Sequence, residues 1–195
     1  MTSNFFVFTG GPGSGKTSLL HALADKGFST APEAGRAIIQ TQQAIGGEAL
    51  PWGNRQLFAE LMLSWDIRSH ESAAGMNRPV LFDRGVPDTI GYLELCGLQV
   101  PRHMWEAAEL YRYNRQVFVL PPWPEIYVRD EERKQSPVEA ERTFAAVTAV
   151  YRRLGYTLAE VPRCDIVERA RLVADRIAQA PELDAIQSGL RAAQP

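Results

Sequence analysis

The chain has few of the features that mark secreted, membrane-embedded or nucleic-acid-binding proteins. Its two cysteines form neither a C-x-x-C pair nor a metal-ligand spacing, so we expect reduced thiols rather than a disulfide framework. No apolar run is long enough to span a bilayer, and the N-terminus lacks the basic region of a signal peptide. The net charge of −2 gives no basic field that would recruit nucleic acid or a membrane. These absences predict a cytoplasmic globular protein of about one domain in length.

The most informative segment is the octet GGPGSGKT at residues 10–17, which fits the phosphate-binding pattern G-x-x-x-x-G-K-[ST]. An apolar, β-branched and aromatic run precedes it and a helical pattern follows it, as this motif requires. The backbone N–H groups of such a loop converge on a polyphosphate, the lysine reaches the β- and γ-phosphates, and the hydroxyl coordinates Mg²⁺. The expected nucleotide-binding residues are Gly11, Pro12, Gly13, Ser14, Gly15, Lys16, Thr17 and Ser18.

Strand candidates alternate with helical stretches along the chain, which indicates an α/β fold with a parallel sheet. The predicted strands are 5–9, 28–30, 79–83, 116–120 and 156–161. The predicted helices are 18–26, 34–45, 54–75, 88–95, 103–111, a helix capped by Ser136 and ended by Gly155, and 166–180. We expect a single domain over residues 1–181, with a lid at approximately 123–137 and a C-terminal tail at 182–195.

A second group of candidate residues follows the third predicted strand. Asp83 ends this strand, at the edge where doubly wound sheets bind ligands, so we expect it to hold Mg²⁺ together with Thr17. The alternative is a helix or turn cap. Arg84 stands where a motor ATPase usually has a glutamate that activates water. A guanidinium at this position suits an anionic acceptor or the transferring phosphoryl group.

Glu33 and Arg36 directly follow the second predicted strand. A carboxylate at this edge can accept the proton of a substrate hydroxyl, and the arginine can bind an anionic group of the substrate. The alternative is a surface pair in the first turn of a helix, where acidic residues are favoured in any case. Both interpretations stay open at this point.

Two further segments have a functional and a structural interpretation. Arg129 and Arg133 share one face if their segment is helical, and a lid there can fold basic groups over the phosphates. A solvated charged loop is the alternative. Trp52 and Trp65 flank or lie within the third predicted helix, and we expect core residues here rather than walls of an acceptor pocket.

With these residues the chain resembles a P-loop kinase, and more narrowly a family of small bacterial "AAA domain" proteins of kinase-like build, related to ribosylnicotinamide kinase domains. The resemblance rests on GGPGSGKT, on PEAGR at 32–36, on FDRG at 82–85 with Asp88 and Tyr92 nearby, and on the arginines near 129–133. It implies a three-layer α/β/α P-loop NTPase fold with a five-stranded parallel sheet and a lid. It also implies ATP, Mg²⁺ and transfer of the γ-phosphoryl group to a small hydroxyl-bearing acceptor. The roles given above then fall to Lys16, Thr17, Asp83, Arg84, Arg129 and Arg133, with Glu33 as the candidate base.

Two other functions stay open. A nucleotide-dependent switch that binds a protein or lipid partner is suggested by residues 88–91, which fit the D-x-x-G pattern of GTPases. These residues follow a proline rather than a strand, and no guanine-reading N-K-x-D motif occurs in the sequence. Simple ATP hydrolysis ranks below transfer, because no water-activating residue follows Asp83. The sequence leaves open the acceptor, the choice between ATP and GTP, and the oligomeric state.

Overall fold

The computed structural model describes residues 4–126 and 136–180 of the chain, and these form a sheet of five strands in the order β2-β3-β1-β4-β5. All four strand pairings are parallel. The predicted α/β fold with a five-stranded parallel sheet is confirmed, and each strand ends within one residue of its predicted bounds. The strands are β1 (Phe5–Gly10), β2 (Ser29–Ala31), β3 (Val80–Asp83), β4 (Gln116–Leu120) and β5 (Thr157–Glu160).

The helices lie close to their predicted positions, with two informative differences. The first helix begins inside the phosphate-loop motif, at Lys16, and the fourth begins at Val86 because Pro87 fits a first helical turn. A short 3-10 turn at Pro124–Ile126 follows β4. The helices are α1 (Lys16–Ala24), α2 (Ala34–Ile45), α3 (Arg55–Ala73), α4 (Val86–Leu95), α5 (Arg102–Leu110), α6 (Pro137–Arg153) and α7 (Ile166–Ala178).

Helices cover both faces of the sheet, because the buried strands are apolar on both sides. In β1, Phe5 and Val7 face a core built with α3, α4, α5 and α6, whereas Phe6 and Phe8 face a second core built with α1 and α7. The alternation follows from the two-residue period of a strand. The result is the three-layer α/β/α arrangement that the family resemblance implies.

The register of the central strands positions the candidate site. Phe8 of β1 pairs with Asp83, and Ala31 of β2 pairs with Phe82 of β3. The phosphate loop, which follows β1, therefore lies beside the end of β3. Glu33 lies two residues after Ala31, and Arg84 lies two residues after Phe82. Both residues therefore come to the same edge of the sheet.

One prediction about the core is wrong. Trp52 is 63% exposed and Trp65 is 37% exposed. Trp52 lies in the turn before α3, and Trp65 lies on the flank of α3 that lines an open groove beside the edge strand β2. The predicted lid falls largely on residues 127–135 and the predicted tail on 182–195, both outside the described residues. No helix in residues 4–126 or 136–180 is long and apolar enough to cross a membrane.

Candidate functional site

Glycine is required in the phosphate loop both for its backbone conformation and for close packing. Gly15 adopts a left-handed conformation with φ 78° at the start of α1. A Cβ atom at Gly15 would lie 2.7 Å from Nη1 of Arg169, and one at Gly11 would lie 2.6 Å from the carbonyl oxygen of Ala140. The loop is thus pressed between α6 and α7, so its glycines are needed for close packing as well as for the turn.

Lys16 lies across this loop. Its Nζ donates to the carbonyl oxygens of Gly10 and Gly11 at 3.4 and 3.3 Å, and the residue is 8% exposed. Burial, together with the Arg84 cation, lowers the pKa of Lys16 to about 8. The charged form of Lys16 is therefore destabilised in the protein without nucleotide, and the negative charge of a bound polyphosphate would stabilise it. Thr17 and Ser18 follow in the first turn of α1, and both are exposed.

Arg169 of α7 contacts the phosphate loop, and the sequence analysis did not predict this contact. Its Nη2 donates to the carbonyl oxygen of Ser14 at 3.1 Å, and its guanidinium lies 5.4 Å from the centre of the Trp123 ring. Arg169 is 3% exposed, and its Nε has no hydrogen-bond acceptor among the described residues. Burial lowers its pKa. A buried cation is costly, and this one places positive charge beside the phosphate loop.

Asp83 ends β3 beside Lys16 and is buried. Its Oδ1 is fully enclosed and has no hydrogen-bond donor within the residues that the structure describes. Burial raises the pKa of Asp83, and the charge of Lys16 opposes this increase only in part. An orphaned carboxylate oxygen of this kind fits a divalent cation, since Mg²⁺ prefers oxygen ligands. Asp83 is therefore a suitable ligand for Mg²⁺, and Thr17, an exposed residue in the first turn of α1, stays the predicted second ligand.

Arg84 and Glu33 form an ion pair at the same edge of the sheet. Nε of Arg84 donates to Oε1 of Glu33 at 2.9 Å. Arg84 has φ 74°, an uncommon conformation for a residue other than glycine, and its backbone N–H donates to the carbonyl oxygen of Phe8 at 3.0 Å. Such a strained conformation persists where the surroundings hold it, and it is common at functional sites.

Glu33 stays ionised in this setting. Burial alone would raise its pKa, but Arg84 and then Lys16 hold the pKa of Glu33 below its ordinary value. Arg36 makes a smaller contribution from the exposed start of α2. Glu33 thus has a hydrogen-bond partner in Arg84, which lies at the end of the neighbouring strand.

Asp88 fixes Arg84 from the other side. Its Oδ1 accepts from Nη1 of Arg84 at 3.0 Å and from the Thr9 hydroxyl at 2.5 Å. Its Oδ2 accepts from the backbone N–H of Gly85 at 3.2 Å and from the Tyr151 hydroxyl at 2.6 Å. Because it is buried and bound to four donors, Asp88 positions the arginine. The D-x-x-G segment at residues 88–91 therefore lies within the first two turns of α4 and is not a loop after a strand.

Asp66 is an acidic group of the site that the sequence analysis missed. It lies on α3, is 8% exposed and contacts the Thr89 hydroxyl at 3.5 Å. Burial, followed by the charge of Asp88, raises the pKa of Asp66 well above its ordinary value. A signal was present: Phe58, Met62 and Asp66 are spaced by four residues, so an acid interrupts an apolar stripe of the helix. The predicted lid residues Arg129 and Arg133 lie outside the described residues.

Comparison with known proteins agrees with this architecture. The sequence model of the AAA domain family matches residues 5–169. The chain belongs to the AAA domain family. This confirms the resemblance found in the sequence. No curated protein matches the sequence significantly.

Solved structures of kinases share the fold of this AAA domain protein. A deoxyadenosine kinase from M. mycoides with bound dATP superposes with a TM-score of 0.65 at 14% identity, over 90% of this chain and 99% of that one. The NadR protein in complex with NR gives 0.63 at 17% identity, over 91% of this chain and 50% of that one. Thymidylate kinase from Ehrlichia chaffeensis gives 0.57 at 16% identity, over 92% of this chain and 100% of that one. At these identities the likeness shows a shared P-loop NTPase fold.

Proposed function

We propose that this AAA domain protein transfers the γ-phosphoryl group of ATP to a hydroxyl group of a small molecule. The observation that carries the proposal is the Glu33–Arg84 ion pair of 2.9 Å at the sheet edge beside the phosphate loop. It combines an ionised carboxylate with a cation held in a strained conformation. Phosphoryl transfer needs mainly this kind of positioning and charge neutralisation.

The donor side is formed by the loop at residues 10–17. Its backbone N–H groups and the Lys16 ammonium bind the β- and γ-phosphates, and Arg169 adds buried positive charge from behind. Asp83 and Thr17 hold Mg²⁺, which neutralises phosphate charge when bound. The structures of deoxyadenosine kinase with dATP and of NadR with NR support a small-molecule kinase as the functional class.

The acceptor side is formed by Glu33. The acceptor hydroxyl oxygen attacks the γ-phosphorus as the bond to the bridging oxygen breaks, and ADP leaves. Glu33 takes the hydroxyl proton, and Arg84 orients the carboxylate through its 2.9 Å hydrogen bond. Arg84 and Lys16 hold the pKa of Glu33 below its ordinary value, so the carboxylate is ionised at neutral pH. The same charges weaken it as a base, so Arg84 contributes orientation rather than base strength.

The other two functions receive less support. The D-x-x-G segment is helical, and its Asp88 is bound to four donors, so it offers no nucleotide-sensing loop for a switch. Hydrolysis needs a residue that activates water, and the position after Asp83 is an arginine engaged with two carboxylates. The cytoplasmic location, the absence of a nucleic-acid partner and the lid roles of Arg129 and Arg133 stay predictions.

The test is ADP release with Mg-ATP and a panel of hydroxyl compounds. Release is expected to require an acceptor, and Glu33→Gln is expected to lower kcat by roughly a hundredfold or more with little change in the KM for ATP. Glu106→Gln, at an exposed glutamate that pairs with Arg102 on the surface of α5, is the matched control. Equal kcat for Glu33→Gln and the wild type would exclude Glu33 as the base, and acceptor-independent release would exclude transfer.

A further inference from the structure

The open groove beside the edge strand β2 lies outside the candidate site, and the proposed transfer does not use it. The groove has a volume of about 470 Å³ and runs between β2 and one side of α3. Trp65 and Met76 line it, and they are 37% and 40% exposed. Arg68 is the one charged residue among the described residues that line the groove. The groove is therefore an accessible, largely apolar surface with a single cation.

The outer side of β2 is an unpaired edge of the sheet. β2 pairs with β3 alone, and in the part of the chain that the structure describes no further group hydrogen-bonds to Ser29, Thr30 or Ala31. Such an edge offers free backbone N–H and C=O groups to another extended chain. The opposite edge is better protected, because β5 ends in the charged residue Glu160, whose carbonyl oxygen accepts from Nη1 of Arg176 at 3.3 Å. Of the two edges, β2 is thus the one open to a further strand.

Arg68 determines the charge of a partner that fits this groove. Its side chain is exposed, and within residues 4–126 and 136–180 it has neither an ion pair nor a hydrogen bond. None of the described groove residues is acidic, so a carboxylate on the bound molecule would be the ionic partner of this guanidinium. A second copy of the chain fits less well. A two-fold contact presents the same surface to itself, and neither groove would supply a carboxylate to the arginine of the other.

We propose that the β2 edge and this groove bind an extended, acidic peptide segment of a partner protein. The segment adds a strand beside β2 through backbone hydrogen bonds, packs an apolar side chain against Trp65 and Met76, and pairs a carboxylate with Arg68. Three or four residues suffice to follow β2, because a strand advances about 3.3 Å per residue. Neither Glu33 nor Lys16 lines the groove, so this surface is separate from the candidate site.

Selection from a random peptide display library tests the proposal on the full chain. We expect the enriched peptides to combine an acidic residue with apolar neighbours, and Kd is then measured for a synthetic copy of the tightest one. Arg68→Glu is expected to weaken this Kd about fivefold or more, because it replaces an attractive charge pair with a repulsive one. A peptide with lysine in place of the acidic residue should bind the Arg68→Glu variant better than the wild type. Arg152→Glu, at an exposed arginine of α6 outside the groove, is the matched control and should keep the wild-type Kd.

Strand addition and the identity of the occupant are tested separately. Two versions of the peptide carry N-methyl groups on alternate backbone amides, in the two possible registers, and one of them should lose binding because its N–H donors to β2 are removed. Met76→Asp, which opposes the peptide carboxylate, serves as a second variant if Arg68→Glu does not fold.

Four results would overturn the proposal. These are a selection that enriches no peptide, a Kd that Arg68→Glu leaves unchanged, full binding by both N-methylated peptides, and a wild-type dimer in light scattering that Arg68→Glu dissociates. The last result would assign the groove to a second copy of the chain. All four leave the proposed phosphoryl transfer unaffected, because its test measures ADP release.

Discussion

Nucleotide binding is expected to draw a proton onto Lys16. In the protein without nucleotide, burial and the Arg84 cation lower the pKa of Lys16 from 10.5 to about 8. Phosphate oxygens beside Nζ favour the charged form, so binding raises this pKa again. A group whose pKa rises on binding takes up protons, and binding then weakens as the pH rises through the lower of the two pKa values.

The size of the effect follows from the two pKa values. The interval from about 8 to 10.5 corresponds to roughly 3 kcal/mol of interaction that binding can recover. Near pH 8, about half of the unliganded molecules carry a neutral Lys16, so each binding event takes up about half a proton. The ionisation of Lys16 should leave the affinity almost independent of pH below pH 7 and lower it by up to about tenfold per pH unit above pH 8.

Titration calorimetry measures this uptake. A non-hydrolysable ATP analogue with Mg²⁺ is titrated at pH 8 in two buffers that differ in ionisation enthalpy, and the difference in observed heat gives the protons exchanged. Lys16→Arg is the matched control, because arginine stays charged at this pH and has no proton to gain. Tight binding to the wild type without proton uptake at pH 8 would refute the reasoning, as would equal uptake by the arginine variant.

Three further outcomes follow from the site. Gly15→Ala places a Cβ atom at a residue with φ 78°, 2.7 Å from Nη1 of Arg169. It should lower the stability by more than about 1 kcal/mol and remove most nucleotide affinity, as measured by Tm and titration, and unaltered binding would contradict the packing argument. Asp83→Asn should weaken Mg²⁺-dependent binding and slow transfer roughly a hundredfold, whereas an unchanged Mg²⁺ requirement would rule out Asp83 as a ligand. Tyr151→Phe removes a buried 2.6 Å hydrogen bond to Asp88 and should cost about 1–3 kcal/mol in urea unfolding; no loss would show that the hydroxyl is dispensable.

Local patterns allowed much of the fold to be predicted. The strands are recognisable in the sequence because buried parallel strands need continuous hydrophobic runs. The Ser136 cap and Pro137 marked the start of α6. The strand order β2-β3-β1-β4-β5 was not predicted, since sequence spacing does not tell which strands become neighbours. Trp52 and Trp65 misled the analysis, because a large aromatic ring on a helix flank looks the same in sequence whether or not another element covers it.

The site was predictable where its residues follow strands or form a motif. Lys16, Asp83, Glu33 and Arg84 meet because the carboxyl ends of parallel strands share one edge. The supporting residues come from helix faces that are distant in sequence. Arg169 reaches the phosphate loop across 155 residues, and no local pattern predicts such a contact.

The fate of the γ-phosphoryl group tests the central claim most directly. Phosphorus NMR of a reaction with Mg-ATP and an accepted hydroxyl compound follows ADP, phosphate ester and inorganic phosphate at once. We predict that a phosphate-ester signal grows in step with ADP and that Glu33→Gln suppresses both. Growth of inorganic phosphate alone, or no ADP with any acceptor, would contradict the proposal that this protein is a small-molecule kinase.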